Sequence, residues 1–177
     1  VLSVHPLQSF PDVATALARL PGSAVAVTAP DEAAAAVGER LARGIGGRPF
    51  RLDDDRKPLY HAAAVFCSNY LAAVEGVAER LFRLAGLDDP VDLFGPLAQA
   101  TLANVLREGP AEALTGPVAR GDAGTVRRNL EALAAEAPWA IPSYVALAEV
   151  ALDLAAAASG PDASGRGAVE EVLARWR

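Results

Sequence analysis

The chain changes its hydrophobic period once, at Asp53-Asp54-Asp55, and that change limits the architectures open to it. Before the three carboxylates, short apolar runs alternate with helical ones. Val1 to Val4 reads as a strand, and Asp12 to Arg19 as a short helix with Val13, Leu17 and Leu20 spaced for one face. Ala24 to Val27 is fully apolar, as in strands buried on both faces. Thr28-Ala29-Pro30-Asp31 reads as a capping box opening a helix that runs to about Arg43, and Pro49 to Leu52 as a further strand. Strand, helix, strand, helix, strand is the rhythm of an α/β sheet with crossover helices.

From Arg56 the period is helical to the end. The punctuation predicts one long helix from Pro58 to Ala85, and a second opened by Asp89-Pro90 and kinked or split at Gly95-Pro96. It further predicts a helix capped by Asp122 and running to about Ala137, one from Pro142 to about Ala158, and a last short one from Ala168 to Trp176 after a polar, flexible linker over Gly160 to Gly167. The fold class expected is mainly α with a small α/β part. The domains expected are 1–55, the last piece of a Rossmann-like parallel sheet, and 56–177, a helical domain. The chain contains no Met and opens on an apolar run, so it is expected to be the back portion of a larger two-domain protein.

Hydrophobic residues make up 52% of the 177, largely Ala with Leu and Val, and aromatics only 6%, which suits closely packed helices. The net charge of −6 and the lack of a basic cluster with interleaved aromatics argue against nucleic acid as a partner. No apolar stretch near twenty residues lacks a charge or a breaker, so neither a membrane span nor a membrane partner is expected, and the location expected is cytoplasmic. Cys67 is the only cysteine, which excludes an internal disulfide and a Cys metal cluster; it is expected to be a buried small hydrophobe. The three aspartates suit a solvated helix cap better than a divalent ion, and no metal site is assigned.

Polar residues intrude on the first long helix. Lys57 lies one turn before His61, His61 and Ser68 are seven apart and hence near one face of a regular helix, and Asn69 lies about 80° round from His61. They stand among alanines, which keep the surface thin enough for a ligand to approach; the alternative is a structural histidine with Ser and Asn bonded to nearby backbone. Thr101 and Asn104 are neighbours on the following helix. The loop Thr115 to Asp122 carries Arg120, whose planar fork suits a carboxylate or phosphate, or which serves an Arg120–Asp122 structural loop. His5 and Gln8 follow the first strand, and ligands of doubly wound sheets gather at strand carboxyl ends. Gly44, Gly46 and Gly47 follow a helix, whereas a dinucleotide loop follows a strand and opens a helix, so no cofactor-binding residue is assigned in this chain.

Taken together, His5-Pro6-Leu7-Gln8, Leu59-Tyr60-His61-Ala62-Ala63-Ala64-Val65 with Ser68-Asn69-Tyr70, Thr101 with Asn104, and Ala113-Leu114-Thr115-Gly116-Pro117 with Arg120-Gly121-Asp122 resemble the Rossmann-like proteins that carry a C-terminal domain of unknown function 2520. The resemblance implies a first domain that binds NAD or NADP. It implies a second, helical domain similar to those of 6-phosphogluconate dehydrogenase, ketopantoate reductase and pyrroline-5-carboxylate reductase, which mediate dimerisation, with substrate between the domains. The helix after Asp122 carries Asn129 where the family usually has a His.

The function this implies is part of an NAD(P)-dependent oxidoreductase acting on a small oxo or hydroxy acid. His61 would be the general acid or base, with Asn69 as its catalytic companion; His5, Gln8, Ser68, Asn104, Thr115 and Arg120 would bind substrate. His5 is expected in a cleft faced by His61. The fragment alone is expected to be inactive and to hold no cofactor tightly, with a homodimer formed through the helical domain. The alternative is a non-enzymatic helical assembly or small-ligand-binding domain.

Overall fold

A computed structural model of the chain describes residues 1–159 and 165–177. They fall into two compact units, Val1–Glu75 and Gly76–Arg177. The architecture is mainly α with a small α/β part, as the period change implies.

The first unit holds a three-stranded sheet of β1 (Ser3–Pro6), β2 (Ala24–Thr28) and β3 (Arg48–Arg51), in that order. β2 and β3 are parallel and joined by α2 (Glu32–Gly44). β1 runs antiparallel to β2, with Ser3 opposite Thr28 and His5 opposite Ala26. The parallel arrangement expected of the first strand is therefore corrected: α1 (Val13–Arg19) links antiparallel neighbours. The apolar face of α1 is also open, with Val13 and Leu17 exposed.

Alternation along the strands separates two faces. Val25 and Val27 are fully buried. A Cβ built on Gly38 of α2 would lie 2.6 Å from Val27 Cγ1 and 2.9 Å from Leu2 Cδ1, so α2 lies almost directly on that face. Gly38→Ala is expected to lower stability by about 1–3 kcal/mol through overpacking, despite the better helix propensity of alanine. Urea unfolding measures this.

The start of α2 corrects the capping box. Asp31 is the cap, its carboxylate accepting from Ala34 N at 2.8 Å, while Thr28 stays in β2 and donates Oγ1 to Leu52 O at 2.7 Å. The aspartates at 53–55 form no side-chain cap either. Asp54 opens a single 3-10 turn and pairs with Lys57 Nζ at 2.9 Å. The long helix then begins as α3 (Lys57–Val65), passes through a π turn at Phe66–Tyr70 and resumes as α4 (Leu71–Leu84). Cys67 sits on that π turn and is exposed, which corrects its assignment to the interior.

The second unit adds α5 (Pro90–Glu108), α6 (Pro110–Ala113), α7 (Ala123–Glu136), α8 (Ile141–Ser159) and α9 (Arg166–Ala174). α5 runs unbroken through Gly95-Pro96, so the expected split does not occur. Residues 160–164 of the expected linker lie outside the described residues, and Arg166 and Gly167 are already helical. The core joins α7, α8 and α9 through Val126, Leu130, Val145, Leu152, Val169 and Leu173. Pro138–Ala158 is, by length and composition, apolar enough to cross a membrane, contrary to the sequence expectation. Its Val145, Ala148 and Leu152 pack into the core, while Leu147 and Val150 are exposed.

Asp122 caps α7 as its sequence position indicates, accepting from Thr125 N at 2.9 Å and Thr125 Oγ1 at 2.7 Å. These bonds hold its carboxyl below the ordinary value of 3.8. A carboxyl lowered by folding adds stability above its ordinary value and loses it as pH falls toward the folded one. Below about pH 3.8 the wild type is thus expected to lose melting temperature more steeply than Asp122→Asn, in scans across pH.

Candidate functional site

The face of the sheet opposite α2 carries Ser3, His5, Ala26, Thr28 and Phe50, which the register places side by side. Tyr60 of α3 covers it. Its ring meets His5 edge-to-face at a centroid distance of 5.8 Å and Phe50 at 5.9 Å. The first turns of α3 and this sheet face enclose a cavity of about 190 Å³, lined by Ser3, His5, Ala26, Thr28, Leu52, Lys57, Tyr60 and His61. All of these residues belong to the first compact unit.

Three basic side chains therefore converge on one small space. Lys57 and His61 are i, i+4 neighbours on α3 and share a face. His5 arrives from β1, because its side chain points away from α2. The chain has two histidines in all, and both line this cavity. Lys57 keeps Asp54 as its partner, and that contact lowers the Asp54 carboxyl. Tyr60 Oη is sealed from solvent with no hydrogen-bond partner among the described residues, and burial raises its pKa above 10.0. The cavity can take a small anion against the Lys57 ammonium and the two imidazoles.

The other residues read from sequence lie elsewhere. Gln8 does not line the cavity; its Oε1 accepts from Ser9 N. The antiparallel direction of β1 explains this. Leu7 N bonds Ala24 O, so the chain is leaving past the start of β2 while Thr28 and Leu52 mark the far end. Ser68 and Asn69 are exposed on the π turn and do not reach the cavity. A π turn adds a residue to the helical repeat, which cancels the phase relation to His61 expected of a regular helix.

In the second unit Asn104 accepts from Arg107 Nη2 at 2.8 Å. Thr115 and Arg120 line a separate hollow of about 350 Å³ with Glu112, Ala119 and Ala155. Asp122 is engaged with Thr125, and Asn129 donates Nδ2 to Tyr144 Oη at 3.1 Å, a bond between two helices. Sequence reasoning assigned no part in a binding site to Tyr60, Ser3 or Thr28. The available signal was Tyr60 beside His61 in the quoted motif, one residue off the His61 stripe but still facing the sheet.

The glycines after α2 do not form a dinucleotide cradle. Gly46 adopts φ +77°, and Gly47 N returns to Ala42 O at 2.9 Å, closing the helix before β3. These glycines therefore terminate a helix instead of linking a strand to the start of one.

The parallel β2–α2–β3 unit with helices following defines an α/β-plus-helical protein of Rossmann-like kind. Residues 23–151 match the family described as a domain of unknown function (DUF2520), and the chain belongs to that family. No curated protein matches it. Two solved structures are similar. One is a protein of Thermotoga maritima, 28% identical with a TM-score of 0.73, where the match covers 88% of this chain and 62% of that one. The other is the "putative NADP oxidoreductase" of Bacteroides fragilis, 24% identical with a TM-score of 0.72, covering 86% of this chain and 57% of that one. The chain therefore spans less than two thirds of the length of either.

Proposed function

We propose that the chain is part of an NAD(P)-dependent oxidoreductase acting on a small oxo or hydroxy acid, which binds in the cavity between the sheet and α3. The observation that carries this reading is the convergence of both histidines, with Lys57, on one small space. The half-open space of about 190 Å³ accommodates a short carboxylic acid. The fold shared with the Bacteroides fragilis structure supports the redox reading and the NADP-type cofactor.

In this reading Lys57 and His5 hold the carboxylate, and His61 gives or takes the proton at the reacting oxygen. Hydride transfer is the cofactor's chemistry, and the pyrophosphate is held by residues outside this chain. The location that goes with this reading is cytoplasmic. Gln8, Ser68 and Asn69 are not among the residues that line this cavity. The test is NADH and NADPH titration of the full-length protein, followed by oxidation of reduced cofactor with a panel of short 2-oxo acids. Saturable binding and turnover support the reading; no binding at millimolar cofactor overturns it.

A second reading, an assembly domain without catalysis, is favoured by one observation. Val91, Leu93, Leu97, Leu102 and Leu106 of α5 are all exposed, Leu106 by 78%. A homodimer through the helical unit would cover them, and a solution mass twice that of the protein would register it. Dimerisation is compatible with either reading; the cofactor titration separates them.

A further inference from the structure

Lys57 brings a permanent positive charge to the cavity, and that charge already has a partner. Its Nζ lies 2.9 Å from Asp54 Oδ1, three residues earlier, where Asp54 opens the 3-10 turn that leads into α3. The bond to the ammonium, and its charge, hold the Asp54 carboxyl below its ordinary value. Asp55 turns instead toward Arg56, at 3.8 Å. Asp54 does not itself line the cavity, so its charge stands outside, one lysine's reach away. The ammonium is thus seen gripping a carboxylate, the same group that a small acid presents. The grip is loose. The Asp54 side chain is 85% exposed and that of Lys57 38%, and an exposed ion pair of this kind adds little to stability. Its partners can therefore exchange at small cost.

We propose that Asp54 is an internal competitor for the carboxylate of the bound acid, holding the Lys57 ammonium in the unliganded protein and yielding it when a small acid enters. This rests on the small-acid reading of the cavity, but not on the dinucleotide. Two effects of the Asp54 charge oppose each other. It steadies the lysine side chain, which helps binding, and it lowers the positive potential that an incoming anion meets, which hinders it. Steadying through an exposed pair is worth little. Like charges a few ångströms apart repel appreciably even in water. The repulsion wins, so Asp54 weakens acid binding. Asp54 is a positioning residue that sets affinity through Lys57 and touches no reacting atom.

The test is Asp54→Asn and Asp54→Glu in the full-length protein, each titrated calorimetrically with pyruvate and propionate at low and at high ionic strength. Asp54→Asn keeps the shape of the side chain and removes its charge. Its affinity for both acids is expected to rise about threefold at low ionic strength, the scale of one like charge removed near an exposed site. The rise should shrink at high ionic strength, where salt screens the repulsion. Asp54→Glu keeps the charge and should bind as the wild type does. In a Lys57→Gln background Asp54→Asn should change affinity less, because the ammonium competed for is gone. Unchanged or lower affinity in Asp54→Asn, an equal rise in Asp54→Glu, or a rise that persists in full without Lys57 each overturns the role of Asp54 while leaving the small-acid reading intact. If the wild type binds neither acid, the small-acid reading itself fails, and the role of Asp54 with it.

Discussion

In the full-length protein, His61→Ala is expected to lower kcat/KM for a short 2-oxo acid by roughly 10²–10⁴-fold, the usual worth of a general acid or base. The loss should fall mainly on kcat. Lys57 and His5 still line the cavity, so the acid should still bind, and KM should change little. A packing defect would show instead as a lower melting temperature. No large packing defect is expected, since His61 is exposed on the surface of α3 and belongs to neither hydrophobic core cluster of the second unit. Steady-state kinetics across pH, with circular dichroism to confirm the fold, measures both. A wild-type-like kcat would remove His61 from the chemistry.

Leu130→Ala is expected to cost about 2–5 kcal/mol, the range for deleting a fully enclosed leucine. Leu130 is 0% exposed at the centre of the core that joins α7, α8 and α9. That core is built from four valines, three leucines and Ala148, with Tyr144 and Trp176 only at its edge. Thin side chains do not swing into a void, so relaxation around the cavity should be small and the cost should sit in the upper half of the range. Denaturant unfolding, with the midpoint shifting and the slope unchanged, would register it.

How far these elements were legible depends on what periodicity encodes. β2 was plain because an unbroken run of Ala and Val has one economical place, the middle of a sheet. The Asp122 cap was plain because the acid stands one residue before the helical period begins. The direction of β1 was hidden: alternation tells which residues share a face and says nothing of which way the strand runs. That single unknown placed Gln8 at the wrong end of the sheet and left His5 correctly on the cavity. The cap of α2 was misread because both Thr28 and Asp31 can cap. The ladder kept Thr28, whose hydroxyl closes on Leu52 O, and left Asp31 for the helix.

α5 keeps its path through Pro96, although an interior proline removes the bond to the Asp92 carbonyl at a cost of about 3 kcal/mol. Asp92 is exposed, so that carbonyl can be hydrated. The π turn has no compositional signature at all, and with it went the expected alignment of Ser68 and Asn69 with His61. The cavity was half legible. Lys57 and His61 follow from helical spacing, and His5 from its place at the end of the first strand together with the resemblance. Tyr60 emerges only when the sheet face and α3 are seen together, because nothing in a sequence shows that a hydroxyl lacks a partner.

The central claim is that His5 and His61 serve one binding site for a small acid. Its most direct measurement is a titration of the full-length protein with pyruvate, followed by the imidazole NMR signals of His5 and His61 after assignment by substitution. Both signals are expected to shift with one shared saturation curve, and His61→Ala is expected to change the response of His5. Binding that leaves both imidazoles unmoved, or that moves them with different saturation curves, would contradict the account.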